Sequence, residues 1–207
     1  MPSYARDPVV KPVAIVDLRP TQISVGMREV EEKRKRLAER GVKKIGNYLG
    51  DHMIPVVLGP KRRPYIIDHH HLVLALHRQG VKTVLVTVVS DLSDVAGVDF
   101  WHVLDQFNWV YPYDEHGRRC DFDSIPKSIG KMTDDPYRSL AGELRRVGGF
   151  AKDTAPFSEF LWADFFRSRI KRKHIEDDFA AALKKALTLA KNAEARYLPG
   201  WCGPVES

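Results

Sequence analysis

Cysteine is nearly missing: Cys120 and Cys202 are the two among 207 residues. They form neither a disulfide framework nor a C-x-x-C pair, so we expect a protein of the reducing cytoplasm rather than a stapled secreted domain or a zinc ribbon. Long apolar runs are missing as well. No stretch approaches the ~20 residues that span a bilayer, and Met1 to Asp7 lack the apolar core of a secretion signal, so no membrane partner is expected. There is no internal repeat and no low-complexity segment. What the chain does have is 43% hydrophobic residues, enough for a real core, and a formal net charge of +6. That excess permits attraction to nucleic acid or anionic nucleotides without requiring it.

Periodicity divides the chain into an arm over 1–12, an α+β core over 13–95 and a mainly helical extension over 96–207 packed on that core. Val13 to Val16 reads as a strand, and Gly26 to Arg40 as a helix with Met27, Val30 and Leu37 on its apolar side. The run Lys33 to Arg36 could grip phosphates, but a charged run on a helix is more often its solvated face, and that is the expectation here. After a loop containing Gly46, Asn47 and Gly50, Met53 to Leu58 is a strand whose Pro55 suggests an edge or a strand start. A turn then leads into a strand through Tyr65, giving a hairpin, and Thr83 to Val89 is the clearest strand of all. Beyond Phe100 the expected helices are Phe100–Phe107, Tyr137–Val147, Phe157–Ile170 and one long helix from about Ile175 to Arg196. Arg138 and Glu159 are expected to pair, and the basic run Arg167 to His174 to be a solvated turn. The rings of Trp101, Phe107, Trp109, Tyr111 and Tyr113 read as packing rather than as a platform for bases.

The segment Tyr65-Ile66-Ile67-Asp68-His69-His70-His71-Leu72 passes from a β-rich run straight into a helix that ends near Gly80. Four polar, chemically capable side chains therefore lie at a strand-to-helix junction. Asp68 is placed to cap the helix, and the unpaired N–H groups of a first helical turn attract anions such as phosphate. Neutral imidazoles at that mouth can each donate an N–H to phosphate. Asp68 can alternatively hold a Mg²⁺ ion that bridges phosphate oxygens. Three consecutive histidines cannot all face one transition metal, which would need partners such as His102 or His116. The opposite reading is structural: one imidazole capping, one packed, one solvated.

The order of these elements, with Leu18-Arg19-Pro20-Thr21-Gln22, Ile54-Pro55-Val56-Val57 and Ile67-Asp68-His69-His70-His71, resembles the ParB/sulfiredoxin-like superfamily, in particular its branch of ParB-like nucleases. Asp134-Asp135-Pro136-Tyr137-Arg138-Ser139-Leu140-Ala141 and Glu159-Phe160-Leu161-Trp162-Ala163-Asp164 look like the helical extension of that branch. The resemblance implies a small mixed sheet with helices and a nucleotide (ATP or CTP) or nucleic-acid phosphate held at the junction. It implies phosphate-binding roles for Arg19, Gln22, His69, His70 and His71. Arg28 is a further candidate there, since the first helix lies beside the junction in this superfamily. Catalytic roles fall on His70, His71 and Asp68, with Asp68 also the candidate Mg²⁺ ligand. Asp68, His70 and His71 match the Asp and both His of the Asp-Gly-His-His-Arg motif of free serine kinases. His69 replaces its Gly, Leu72 its Arg, and Gln22 the Glu that serves as base, and Gln accepts no proton at neutral pH.

The first expectation is thus a phosphate-binding protein that hydrolyses a phosphodiester or a nucleotide. A rival is a non-catalytic DNA-partitioning or regulatory module that senses a nucleotide, and a third reading is a small-molecule phosphotransferase. A homodimer is compatible with each.

Overall fold

The computed structural model describes residues 10–40 and 53–204. Residues 1–9 of the expected arm, and the loop of Gly46, Asn47 and Gly50, lie outside the described residues. The chain groups into two compact units, one of residues 1–23, 30–113 and 119–132, the other of residues 24–29, 114–118 and 133–207. No helix among the described residues is long and apolar enough to cross a membrane.

In the first unit the β-rich runs build one four-stranded mixed sheet from β1 (Val10–Ala14), β3 (Ile54–Gly59), β4 (Arg63–Ile66) and β5 (Thr83–Asp91), in the order β1-β5-β3-β4. β1 runs antiparallel to β5, β5 parallel to β3, and β3 antiparallel to β4. Pro55 therefore sits in a central strand rather than at an edge. It lies one residue into β3, ahead of the Val56–Ile66 pair where the β4 ladder begins, so its missing N–H interrupts nothing on that side. After β1 the chain crosses a 3₁₀ turn, Ile15–Asp17, and Arg19 then lies along the outer edge of β4. Arg19 N–H donates to the Pro64 carbonyl at 2.9 Å and the Arg19 carbonyl accepts from Ile66 N–H at 2.9 Å. The continuation of one edge strand thus covers the other edge, and the sheet curls into a half-barrel.

Helix α1 (Met27–Arg40) buries Val30 and Leu37, spaced by two turns. Helix α2 (His70–Arg78) buries Leu72 through Leu76 without a break. Helix α3 (Gly97–Gln106) contributes Phe100 and Leu104 to a core with Ile23, Val57, Val110 and Ile125. The remaining aromatic residues pair with one another: Trp101 stacks on Phe122, Phe107 on Trp109, and Tyr111 on Tyr113.

Among its described residues the second unit holds two short parallel strands, β2 (Ser24–Val25) and β6 (Thr133–Asp134), and four α-helices: α4 (Pro136–Arg146), α5 (Ser158–Arg167), α6 (Arg172–Asp177) and α7 (Phe179–Lys191). Its core gathers around Trp162, whose ring stacks on Phe150 and whose Nε1–H donates to the Pro199 carbonyl at 2.9 Å. The expected long C-terminal helix is broken in two. Asp178, with a non-helical φ of −144° and ψ of 87°, ends α6 and accepts the Ala181 N–H at 3.0 Å, so it caps a new helix instead of continuing the old one.

The expected Arg138–Glu159 pair is not formed. Arg138 meets Glu29 at 3.3 Å and Glu159 meets Arg145 at 3.1 Å. The basic run is not a bare solvated turn either: Arg167 binds Asp135 and Asp164, Arg169 lies over Phe165, and Arg172 binds Glu176. In the Asp-Asp-Pro-Tyr-Arg-Ser segment, Asp134, Asp135, Pro136 and Ser139 serve helix starts. Asp135 accepts the Tyr137 N–H at 2.9 Å with Pro136 in the first helical position, which suits a residue without an N–H. Asp134 accepts from Met27 N–H and Ser139 Oγ from Arg28 N–H, so the same segment also caps α1. Gly26 is required there, because a Cβ would stand 2.8 Å from the Ser139 nitrogen and Oγ.

Candidate functional site at the strand-to-helix junction

β4 ends at Ile66, and the chain passes from strand to helix within three residues to start α2 at His70. His69 makes the bend in the left-handed region, φ 64° and ψ 22°, where the free serine kinase motif has its Gly. The helix cap is therefore His69 and not Asp68. Asp68 is exposed and turns its Oδ1 to the N–H of His69 at 2.6 Å. The first α-helical bond runs from Val73 N–H to the His69 carbonyl at 2.9 Å, so the N–H groups of His70, His71 and Leu72 precede the intrahelical ladder and point out of the helix start. Such donors, with the positive end of the helix dipole, form the electrostatic seat for an anion.

His70 and His71 are both buried. The Nε2 of His70 accepts the backbone N–H of Thr21 at 3.1 Å, and Thr21 Oγ1, which donates to the Ile66 carbonyl at 2.8 Å, lies 3.3 Å away. This fixes the proton of the neutral ring on Nδ1. Burial pushes the His70 pKa down to about 3; neighbouring His71 and His69 reinforce the shift, and Asp68 opposes it. His70 therefore staples the Arg19–Gln22 segment to the start of α2 as an uncharged ring, and a proton-transfer role would require it to release Thr21. Of the three junction histidines, His69 is half-buried and the nearest to solvent.

The other expected residues are placed as follows. Gln22 is buried, and its Oε1 has no hydrogen-bond partner among the described residues. Arg19 is half-buried and donates from Nη1 to the Lys127 carbonyl, while its buried Nε has no partner among the described residues. Thr21, between them, bonds His70, a role that reading the sequence alone missed. Arg28 places its guanidinium over the Phe179 ring at 3.9 Å.

Among the described residues no group of three or more His, Cys, Asp or Glu side chains is arranged to hold a metal ion. Asp68 keeps one carboxylate oxygen beyond the His69 bond. One carboxylate suits Mg²⁺, which retains most of its water and takes further oxygens from phosphate, and does not suit a fully protein-coordinated transition metal.

Residues 11–168 match the family model described as "Putative ParB-like nuclease". The chain belongs to the ParB-like nuclease family. It is also similar to a solved structure, the crystal structure of protein Atu1540 from Agrobacterium tumefaciens, with 53% identity, a TM-score of 0.89, and coverage of 96% of this chain and 100% of that one. No curated protein matches the sequence significantly. The family membership accounts for both parts of the architecture, since the matched span runs from the half-barrel through α5.

Proposed function

We propose that this ParB-like protein binds the phosphate of a nucleotide or of a nucleic-acid backbone at the β4–α2 junction. One observation carries the reading: the first-turn N–H groups of α2 are set at the end of a strand beside His69, His71 and the exposed Asp68, and the Thr21–His70 bond holds that turn in place. An anion seated there meets backbone N–H groups, the positive end of a helix and imidazole donors. The chain's net charge of +6 favours the approach of such a ligand.

If the ligand is turned over, the chemistry is hydrolysis of a phosphodiester or nucleotide. His71 is then the group to transfer a proton, and Asp68 the carboxylate to share a Mg²⁺ ion with the phosphate oxygens. His70 belongs to the same site as the positioning residue. Gln22 and Leu72 work against phosphotransfer of the serine kinase type. The rival function, a regulatory module that senses a nucleotide, uses the same seat without turnover.

The experiment is to incubate the purified protein with ATP, CTP and plasmid DNA, with and without Mg²⁺, and to follow product release beside equilibrium binding. Release that is abolished in a folded His71→Ala variant supports the hydrolase. Binding without release supports the sensor. Neither binding nor release of any of the three ligands would overturn the proposal.

A further inference from the structure

The half-barrel of the first unit bears an open cavity of about 540 Å³ to which all four strands of its sheet contribute. Its apolar surface comes from Val13 on β1, Leu58 on β3, and Val86 and Val88 on β5. Four cations border it: Lys11, Arg19, Arg62 and Arg63. Lys11, Arg62 and Arg63 are exposed and so stand at the mouth. None of residues 68–71 lines it, so it is separate from the junction.

Two further features point to a ligand. Arg19 Nε is buried and without a hydrogen-bond partner among the described residues, although a buried guanidinium N–H normally finds an acceptor. Moreover, Lys61 and Arg62 both stand in the left-handed region, with φ of 60° and 55°, where side chains other than those of Gly, Asn and Asp are uncommon. The β3–β4 turn thus holds Arg62 at the cavity in a disfavoured backbone conformation. Among the described residues the opposing carboxylates are Asp17, which also lines the cavity, and Asp91, which pairs with Arg62 at 3.3 Å, so four cations face two carboxylates there.

We propose that this cavity binds a small organic anion carrying its charge at one end of an apolar body. The charged head lies against Arg19, Lys11 and Arg63, and the body lies on Val13, Leu58, Val86 and Val88. The volume falls within the range of small-molecule sites, and an apolar wall with a few convergent polar groups is their usual composition. A bare inorganic anion leaves the apolar wall uncovered, and a neutral hydrocarbon leaves the guanidinium groups unmatched. The shared chemistry covers carboxylates and phosphate esters alike.

The test uses the full chain and the fluorescent probe 8-anilinonaphthalene-1-sulfonate, an anion on an apolar body. Saturable binding is expected, weakened at least tenfold in both Arg63→Glu and Lys11→Glu. It should be nearly unchanged in Lys35→Glu, which makes the same change of charge on the exposed face of α1. Displacement by octanoate assigns a carboxylate ligand, and displacement by AMP a phosphate ester. The proposal is overturned if the probe does not bind saturably, if Lys35→Glu weakens it as much as the two cavity variants do, if inorganic phosphate displaces it as well as the organic anions do, or if neither organic anion displaces it.

Discussion

At the scale of single residues, His70 makes the sharpest claim, because it must remain neutral in the folded protein. Its pKa lies at about 3 when folded, against 6.5 for a free histidine. Between those values the unfolded chain binds a proton that the folded chain refuses, so this group's contribution to stability is lost as pH falls from about 6.5 toward about 3. Between pH 7 and pH 5 the loss from one such group is about 2 kcal/mol. A His70→Gln variant keeps an acceptor for the Thr21 N–H but cannot titrate. Urea unfolding at both pH values should show the wild type losing about 2 kcal/mol more than the variant; equal losses would mean that His70 is not buried as described. The second claim concerns Asp135, 1% exposed and bonded to Arg167 at 2.8 Å. Arg167→Met strands a buried carboxylate and should cost about 3–5 kcal/mol, whereas Asp135→Asn combined with Arg167→Met should recover much of it, since Asn can still cap Tyr137. Chemical denaturation of the single and double variants decides this.

At the scale of elements, caps set the boundaries. Asp178→Ala should destabilise the protein by about 1 kcal/mol through the loss of the α7 cap, and Asp178→Asn by a few tenths. Equal effects of the two substitutions in thermal melts would show that the Ala181 N–H is not what Asp178 serves. This break is also where the sequence misleads. Apolar residues recur at helical spacing through Ile175, Phe179, Ala182 and Ala186, so periodicity continues across a point where the backbone does not, and one Asp in an acidic run carries the only sign of it. Helices α1, α2, α4 and α5 and strands β3, β4 and β5 were legible because each shows its own period over a full turn or ladder. β2 and β6 are two residues each, too short to show any period. The Arg138–Glu159 expectation failed for a related reason. Charge type says that an Arg wants a carboxylate but not which one, and helix packing gave it Glu29.

At the scale of the whole molecule, the junction could be found from sequence but its wiring could not. The switch from β-rich to helical pattern at Asp68–His71 placed the bend within a residue. Thr21 and His70, by contrast, lie 49 positions apart, and only the path of the chain from β1 back along β4 brings them together. The cavity bordered by Lys11, Arg19, Arg62 and Arg63 was hidden in the same way, its cations coming from three separate parts of the sequence. Asp68, His69, His70, His71 and Thr21 all belong to the first unit. The most direct test of the central claim is a ¹H–¹⁵N correlation spectrum of the labelled full chain titrated with CTP, with ATP and with a short single-stranded DNA. Phosphate seated at the start of α2 should give its largest amide shifts at His70, His71 and Leu72 with at least one of these ligands. Saturable shifts confined to other residues, or none up to millimolar ligand, would contradict it.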